Sequence, residues 1–103
     1  MTDQPLPPEA CQTMTDVRAG VDATDAQLIA LLTTRFGYMR AAARIKTDRT
    51  VVRDEARKAQ VIANAAALGE AAGIPAKHIS AVWEELVEQS IAYELGVWDA
   101  TRG

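Results

Sequence analysis

The sequence predicts an all-α fold of three helices per chain, one long and two shorter, on three observations. Twenty of the 103 residues are alanine, against one Phe, two Tyr and two Trp. The 49% hydrophobic fraction is therefore mostly small, helix-favouring side chains rather than β-branched and aromatic ones. Apolar residues recur at spacings of three and four over long stretches. The four prolines, at positions 5, 7, 8 and 75, fall outside those stretches.

Residues 1–12 hold three of the prolines and read as a flexible N-terminal arm. One domain is expected over residues 13–103, since the length fits a single compact unit. From Thr13 to about Thr47, Met14, Val17, Val21, Leu28, Leu31, Tyr38, Ala42 and Ile45 mark one long helix. At 1.5 Å per residue this rod is about 50 Å long, so it must protrude or find a partner. The segment Thr47 to Arg53 breaks the pattern, and Asp54 then offers a capping side chain with Glu55 in the first turn. The second helix carries Val61, Ile62, Ala65 and Leu68 on its apolar stripe. It stops at Gly73-Ile74-Pro75, a left-handed glycine, an apolar residue and a proline. A third helix starts near Ala76, and Ile79, Val82, Trp83, Leu86, Val87, Ile91, Leu95 and Trp98 hold its period until Thr101. A 103-residue chain with an alanine-rich core is thin, which makes extra burial through oligomerisation an expectation.

The formal net charge of −3, with no run of Lys and Arg, argues against a nucleic-acid partner held by counterion release. One Cys and one His exclude an intrachain disulfide, a thiolate zinc site and paired histidine ligands, and no metal is expected. No 18-residue apolar run and no signal-peptide pattern are present, so a cytoplasmic chain with no membrane partner is expected. No serine triad or phosphate loop occurs. His78 reads as a surface or capping residue, Trp83 and Trp98 as core. Cys11 has no flanking cation to make it a nucleophile.

Polar groups interrupt two apolar seams. Arg35 lies on the stripe of the first helix, and Lys46, eleven residues on, sits on nearly the same face about 16 Å along the axis. Both long side chains can converge on one ligand; equally, Arg35 can be neutralised by a buried carboxylate while Lys46 sits at the helix end. On the third helix Leu86, Ser90, Glu94 and Trp98 are four apart and share a face, so Glu94 sits on an apolar stripe. A carboxylate there must be paired or protonated, and Arg35 or Lys58 are the candidate structural partners. Arg53 and Arg57 occupy the positive end of the second helix, where cations suggest an anion to bind, or else a solvated face.

Arg18 early in the long helix, then Asp22 and Asp25, Arg35, Lys46, a short loop, Arg57 and the pair Ser90 and Glu94 together resemble the all-α class of chorismate mutases. The likeness spans nearly the whole chain from Cys11. Within that class the chain is most similar to the isochorismate pyruvate lyases of salicylate and siderophore biosynthesis. That likeness rests on Cys11, the segment Tyr38 to Lys46, the eleven-residue step from Lys46 to Arg57, and the ending Trp98-Asp99-Ala100-Thr101-Arg102-Gly103. The resemblance implies an intertwined homodimer. Helix arithmetic asks for the same thing, because Arg18 lies about 25 Å from Arg35 on a continuous helix and cannot share a small ligand with it in one chain. If two copies of the helix cross antiparallel near Leu28 and Ile29, residue 18 of one lies opposite residue 40 of the other. Arg18 is then donated across the interface.

By this resemblance the substrate is a small dicarboxylate with an enolpyruvyl ether, and chorismate rearranges to prephenate with no cofactor, metal or nucleophile. Arg18 and Arg35 would grip carboxylates, Lys46 would donate to the ether oxygen, Arg57 and Ser90 would support carboxylate binding, and Asp54 would meet the ring hydroxyl. Catalytic roles fall on Lys46, Glu94 and Arg35. Two departures matter. Many bacterial members carry glutamine where this chain has Glu94, which resembles the fungal mutases there; an ionised carboxylate cannot donate to the ether oxygen, so turnover should improve as pH falls. Lys58 stands where bacterial mutases place a glutamate that helps bind the hydroxyl, and a Glu94 to Lys58 pair would leave the site less active. Chorismate mutase is the leading reading, isochorismate pyruvate lyase the alternative, and a non-catalytic helical dimer the third.

Overall fold

The computed structural model describes residues 4–102, so residues 1–3 of the expected arm and Gly103 lie outside them. The chain forms three α-helices, α1 (Met14–Ile45), α2 (Glu55–Ala71) and α3 (Ala76–Thr101). Single 3-10 turns lie at Pro8–Ala10 and Arg49–Val51, and no strand occurs among the described residues. Among the described residues no helix is long and apolar enough to cross a membrane.

Each helix end has a local cause. Thr13 and Asp16 start α1 reciprocally: the Asp16 amide donates to Thr13 Oγ1 at 3.1 Å and the Thr13 amide donates back to Asp16 Oδ2 at 3.2 Å. The Gln12 amide, and then Thr13, hold the Asp16 carboxyl below the usual carboxylate range. Asp54 caps α2 as expected, its Oδ1 accepting from the Arg57 amide at 3.0 Å. At the far end Gly73 has φ +91°, and the Gly73 and Ile74 amides donate to the carbonyls of Glu70 (3.0 Å) and Gly69 (2.8 Å). That is the Schellman arrangement the Gly-Ile-Pro triplet predicts, and Pro75 leads straight into α3.

Contacts group the chain into two compact units, residues 1–35 and 36–103. In the first, Leu6, Pro8 and Cys11 line a shallow hollow with Val17, Val21 and Thr24 of α1. The Cys11 thiol points to the Pro7 carbonyl at 3.6 Å.

In the second unit α2 runs back along α3, since Gly69 meets Ile79 while Lys58 reaches Glu84 and Glu88. The core is Val52, Val87 and Ile91, with Val61, Ile62, Trp83 and Leu95 packed on it. Phe36 and Tyr93 stack edge to face at 5.0 Å, and Arg40 Nη1 donates to the Tyr93 hydroxyl at 3.0 Å. Trp98 is buried and Trp83 half-buried; His78 is exposed. Leu68, expected on the inner stripe of α2, is instead 73% exposed, because the face of α2 that meets α3 runs through Ala65 and Gly69 and Leu68 lies beside it.

Gly69 lets the two helices touch. A Cβ there would lie 2.5 Å from Ile79 Cγ1. Isoleucine is stiff at χ1 in a helix, so this contact cannot swing aside. Gly69→Ala gains about 1 kcal/mol of helix propensity but overpacks at a cost of about 1–3 kcal/mol. A net loss of about 1 kcal/mol is expected in a urea melt, and a higher midpoint would contradict the close approach.

Along α1 the expected apolar seam is largely uncovered. Among its described residues Ala43 alone is buried, while Leu31 and Tyr38 are 67% and 68% exposed.

Candidate active site

The face of α3 that the four-residue spacing predicts is the one that turns inward: Ser90, Glu94 and Trp98 are all buried. Ser90 Oγ donates to the Leu86 carbonyl at 2.7 Å. Glu94, 4% exposed, would be a costly buried charge without a cation. Lys46 supplies one. Its Nζ lies 2.8 Å from Glu94 Oε2 and donates to the Val52 carbonyl at 3.5 Å. The ammonium approaches Oε2 out of line for a hydrogen bond, so that buried oxygen has ion-pair contact but no hydrogen-bond partner. The lysine side chain stays 29% exposed, which opens this pair to solvent on the lysine side. Ser90, one helical turn from Glu94 on α3, is 3% exposed.

Of the two candidate partners for Glu94, Lys58 is engaged elsewhere. Lys58 Nζ instead lies 2.8 Å from Glu84 and 2.7 Å from Glu88, two carboxylates one turn apart on α3 that the antiparallel register brings over α2. Arg53 completes this group, gripping Glu88 with two hydrogen bonds (2.8 and 3.0 Å) and reaching Glu55 at 2.8 Å. The anion that Arg53 was expected to attract is thus supplied by the chain itself. Glu84 and then Glu88 push Lys58 up to about 12, and Arg53 and then Lys58 hold Glu88 down to about 2.

Because the folded Glu88 titrates below its ordinary 4.5, its contribution is present above that value and is lost as pH falls from there towards 2. The melting temperature is expected to drop over this window, and to drop less in Glu88→Gln. Equal slopes in the two proteins would contradict the assignment.

The remaining site candidates lie at the start of α2 and on α1. Asp54 is exposed and its Oδ1 is committed to the cap of α2. Arg57 is exposed, donates to Gln60 Oε1 at 2.6 Å, and lines a cleft with Val61, Asn64, Leu68, Ile74 and Trp83. Lys46, Ser90 and Glu94 do not line that cleft. Arg18 and Arg35 belong to the 1–35 unit, Arg18 exposed and Arg35 half-buried on α1. Among polar residues not taken as site residues from the sequence, Arg102 donates to the Lys46 carbonyl at 2.8 Å, and Arg49 pairs with Asp99. The signal for Arg102 was present, since the four-residue step through Glu94 and Trp98 lands on it next.

The chain is 27% identical over 96 residues to the isochorismate pyruvate lyase of Pseudomonas aeruginosa, an alignment covering 93% of this chain and 95% of that one. Residues 17–95, the stretch from the first turn of α1 to just past Glu94, match the profile of type II chorismate mutases. The chain therefore belongs to the chorismate mutase type II family.

Proposed function

We propose that this protein is a chorismate mutase, converting chorismate to prephenate in a cationic pocket shared between two copies of the chain. The observation that carries the reading is the Lys46 to Glu94 pair, 2.8 Å apart, with Glu94 buried and Lys46 open to solvent. A pericyclic rearrangement needs neither nucleophile nor cofactor. It needs the substrate held in a folded conformer and charge on the ether oxygen stabilised as the C–O bond breaks. Lys46 donates to that oxygen. Glu94 donates from its protonated form. Arg35, and Arg18 of the second copy, grip the two carboxylates as planar forks. Ser90 and Arg57 support carboxylate binding, and Asp54 meets the ring hydroxyl.

What one chain leaves uncovered supports a homodimer. Leu28, Leu31, Tyr38 and Ile45 are exposed along α1. Burying each large apolar side chain against a second α1 contributes about 1.5–3 kcal/mol. The antiparallel crossing near Leu28 brings Arg18 of one copy opposite residue 40 of the other, between Arg35 and Lys46. Residues 13–103 then form a single domain in a cytoplasmic enzyme, behind an arm over residues 1–12.

The alternative is isochorismate pyruvate lyase, the activity named for the Pseudomonas relative. Both reactions break the same ether bond, so one pocket can serve either. Two assays on the purified protein between pH 5 and 8 separate the readings: chorismate consumption with prephenate detection, and isochorismate turnover with coupled pyruvate detection. Prephenate without pyruvate is the expected result. Pyruvate release instead assigns the lyase, and silence in both leaves a non-catalytic helical dimer.

A further inference from the structure

Lys46 is the first residue beyond α1, and the seven residues that follow it before Asp54 contain only one 3-10 turn. A lysine ammonium sits on a flexible four-carbon stem, so where it points depends on how firmly its backbone is held. In this chain the backbone is held by α3. Arg102 Nη2 donates to the Lys46 carbonyl at 2.8 Å and to the Arg44 carbonyl at 3.4 Å. These are carbonyls that the end of α1 leaves without a helical donor, and a cation there also suits the helix dipole. The Arg102 guanidinium is itself fixed, lying 3.4 Å from the centre of the buried Trp98 ring. Glu94 and Trp98 lie on one stripe of α3, and Arg102, the residue that caps the helix, follows at the same four-residue step. That single stripe grips Lys46 twice, Glu94 at the ammonium and Arg102 at the carbonyl.

Further along the same connection Arg49 forms a two-pronged pair with Asp99, 2.8 and 3.0 Å. Both side chains are more than half exposed, at 53% and 55%, so the pair adds little stability. Its effect is geometric. Val52, 4% exposed in the core, closes the segment at its other end and presents its carbonyl to the Lys46 ammonium.

We propose that Asp99 and Arg102 are positioning residues: they fasten the α1 to α2 connection to the end of α3 and so set the place from which Lys46 reaches substrate. The proposal rests on the mutase or lyase reading of the site, and on one substrate-independent prediction. Amides of residues 47–52 should exchange with deuterium faster in Asp99→Asn and Arg102→Ala than in the parent chain, with core amides of α2 and α3 unchanged. In kinetics, Arg102→Ala should lower kcat about tenfold with KM altered less than about threefold, as a misplaced catalytic group does. Arg102→Lys, which keeps a donor for the carbonyl, should recover part of the loss.

The deciding comparison is the double variant. In a Lys46→Ala background, Arg102→Ala and Asp99→Asn should cost less than about twofold, because the group they position is gone. Losses that multiply in that background would show a merely structural role and overturn the proposal, as would an unchanged kcat in both single variants. If Arg102→Ala does not fold, Asp99→Asn carries the same comparison. A parent chain inactive on both chorismate and isochorismate would overturn the functional reading and the kinetic half of this proposal. Unchanged exchange at 47–52 would overturn the fastening itself, whatever the activity.

Discussion

Lys46→Ala is expected to lower kcat for chorismate by about 10²–10³-fold, the range seen when one preorganised donor to a developing oxyanion is removed. The ether oxygen carries little charge in the ground state and more as its bond to the ring stretches, so the ammonium acts mainly in the transition state. The loss should therefore fall on kcat, with KM changing far less. Lys46 also neutralises a carboxylate that is 4% exposed, and removing it leaves that group without its cation at a cost of roughly 1–3 kcal/mol. Circular dichroism melts beside initial-rate kinetics separate the two effects. A variant that stays folded and keeps more than about a tenth of its turnover would remove Lys46 from the chemistry.

Glu94→Gln should have the opposite sign. An ionised carboxylate accepts hydrogen bonds and cannot donate one, whereas the glutamine amide donates at any pH. Glutamine places a donor at this position without a proton having to be taken up, so kcat at pH 8 should rise. The substitution also releases Lys46, which the carboxylate otherwise holds at 2.8 Å. A slower Glu94→Gln at pH 8 would show that a donor at this position does not assist the reaction.

Much of this arrangement can be read from single residues. Asp54 as a cap, Gly73-Ile74-Pro75 as a stop and the Thr13 to Asp16 start are local hydrogen-bonding devices, so a few residues suffice to place the helix ends. The burial of Ser90 and Glu94 follows from a four-residue step. What could not be read is which cation meets which anion, because that depends on the register of α2 against α3 and on the path of the connection between α1 and α2. Lys58 looked available to Glu94. The antiparallel packing put Glu84 and Glu88 in front of it, and the turn after α1 brought Lys46 to Glu94 instead. The α1 seam was legible as apolar but is exposed along much of its length, since one chain offers nothing to cover it. Arg102 was missed for a simpler reason: the stripe through Glu94 and Trp98 was followed one step too few.

The shared pocket is the central claim, and co-producing Arg18→Ala and Lys46→Ala chains in one cell tests it most directly. Each variant alone should be nearly inactive. In a mixed dimer one site combines the intact Arg18 of one chain with the intact Lys46 of the other, while the second site carries both lesions. Random pairing makes half the dimers mixed, each with one working site of two, so the mixture should recover about a quarter of the parent activity. Activity no greater than that of the two variants alone would mean that Arg18 and Lys46 must be intact in the same chain, and would contradict the account.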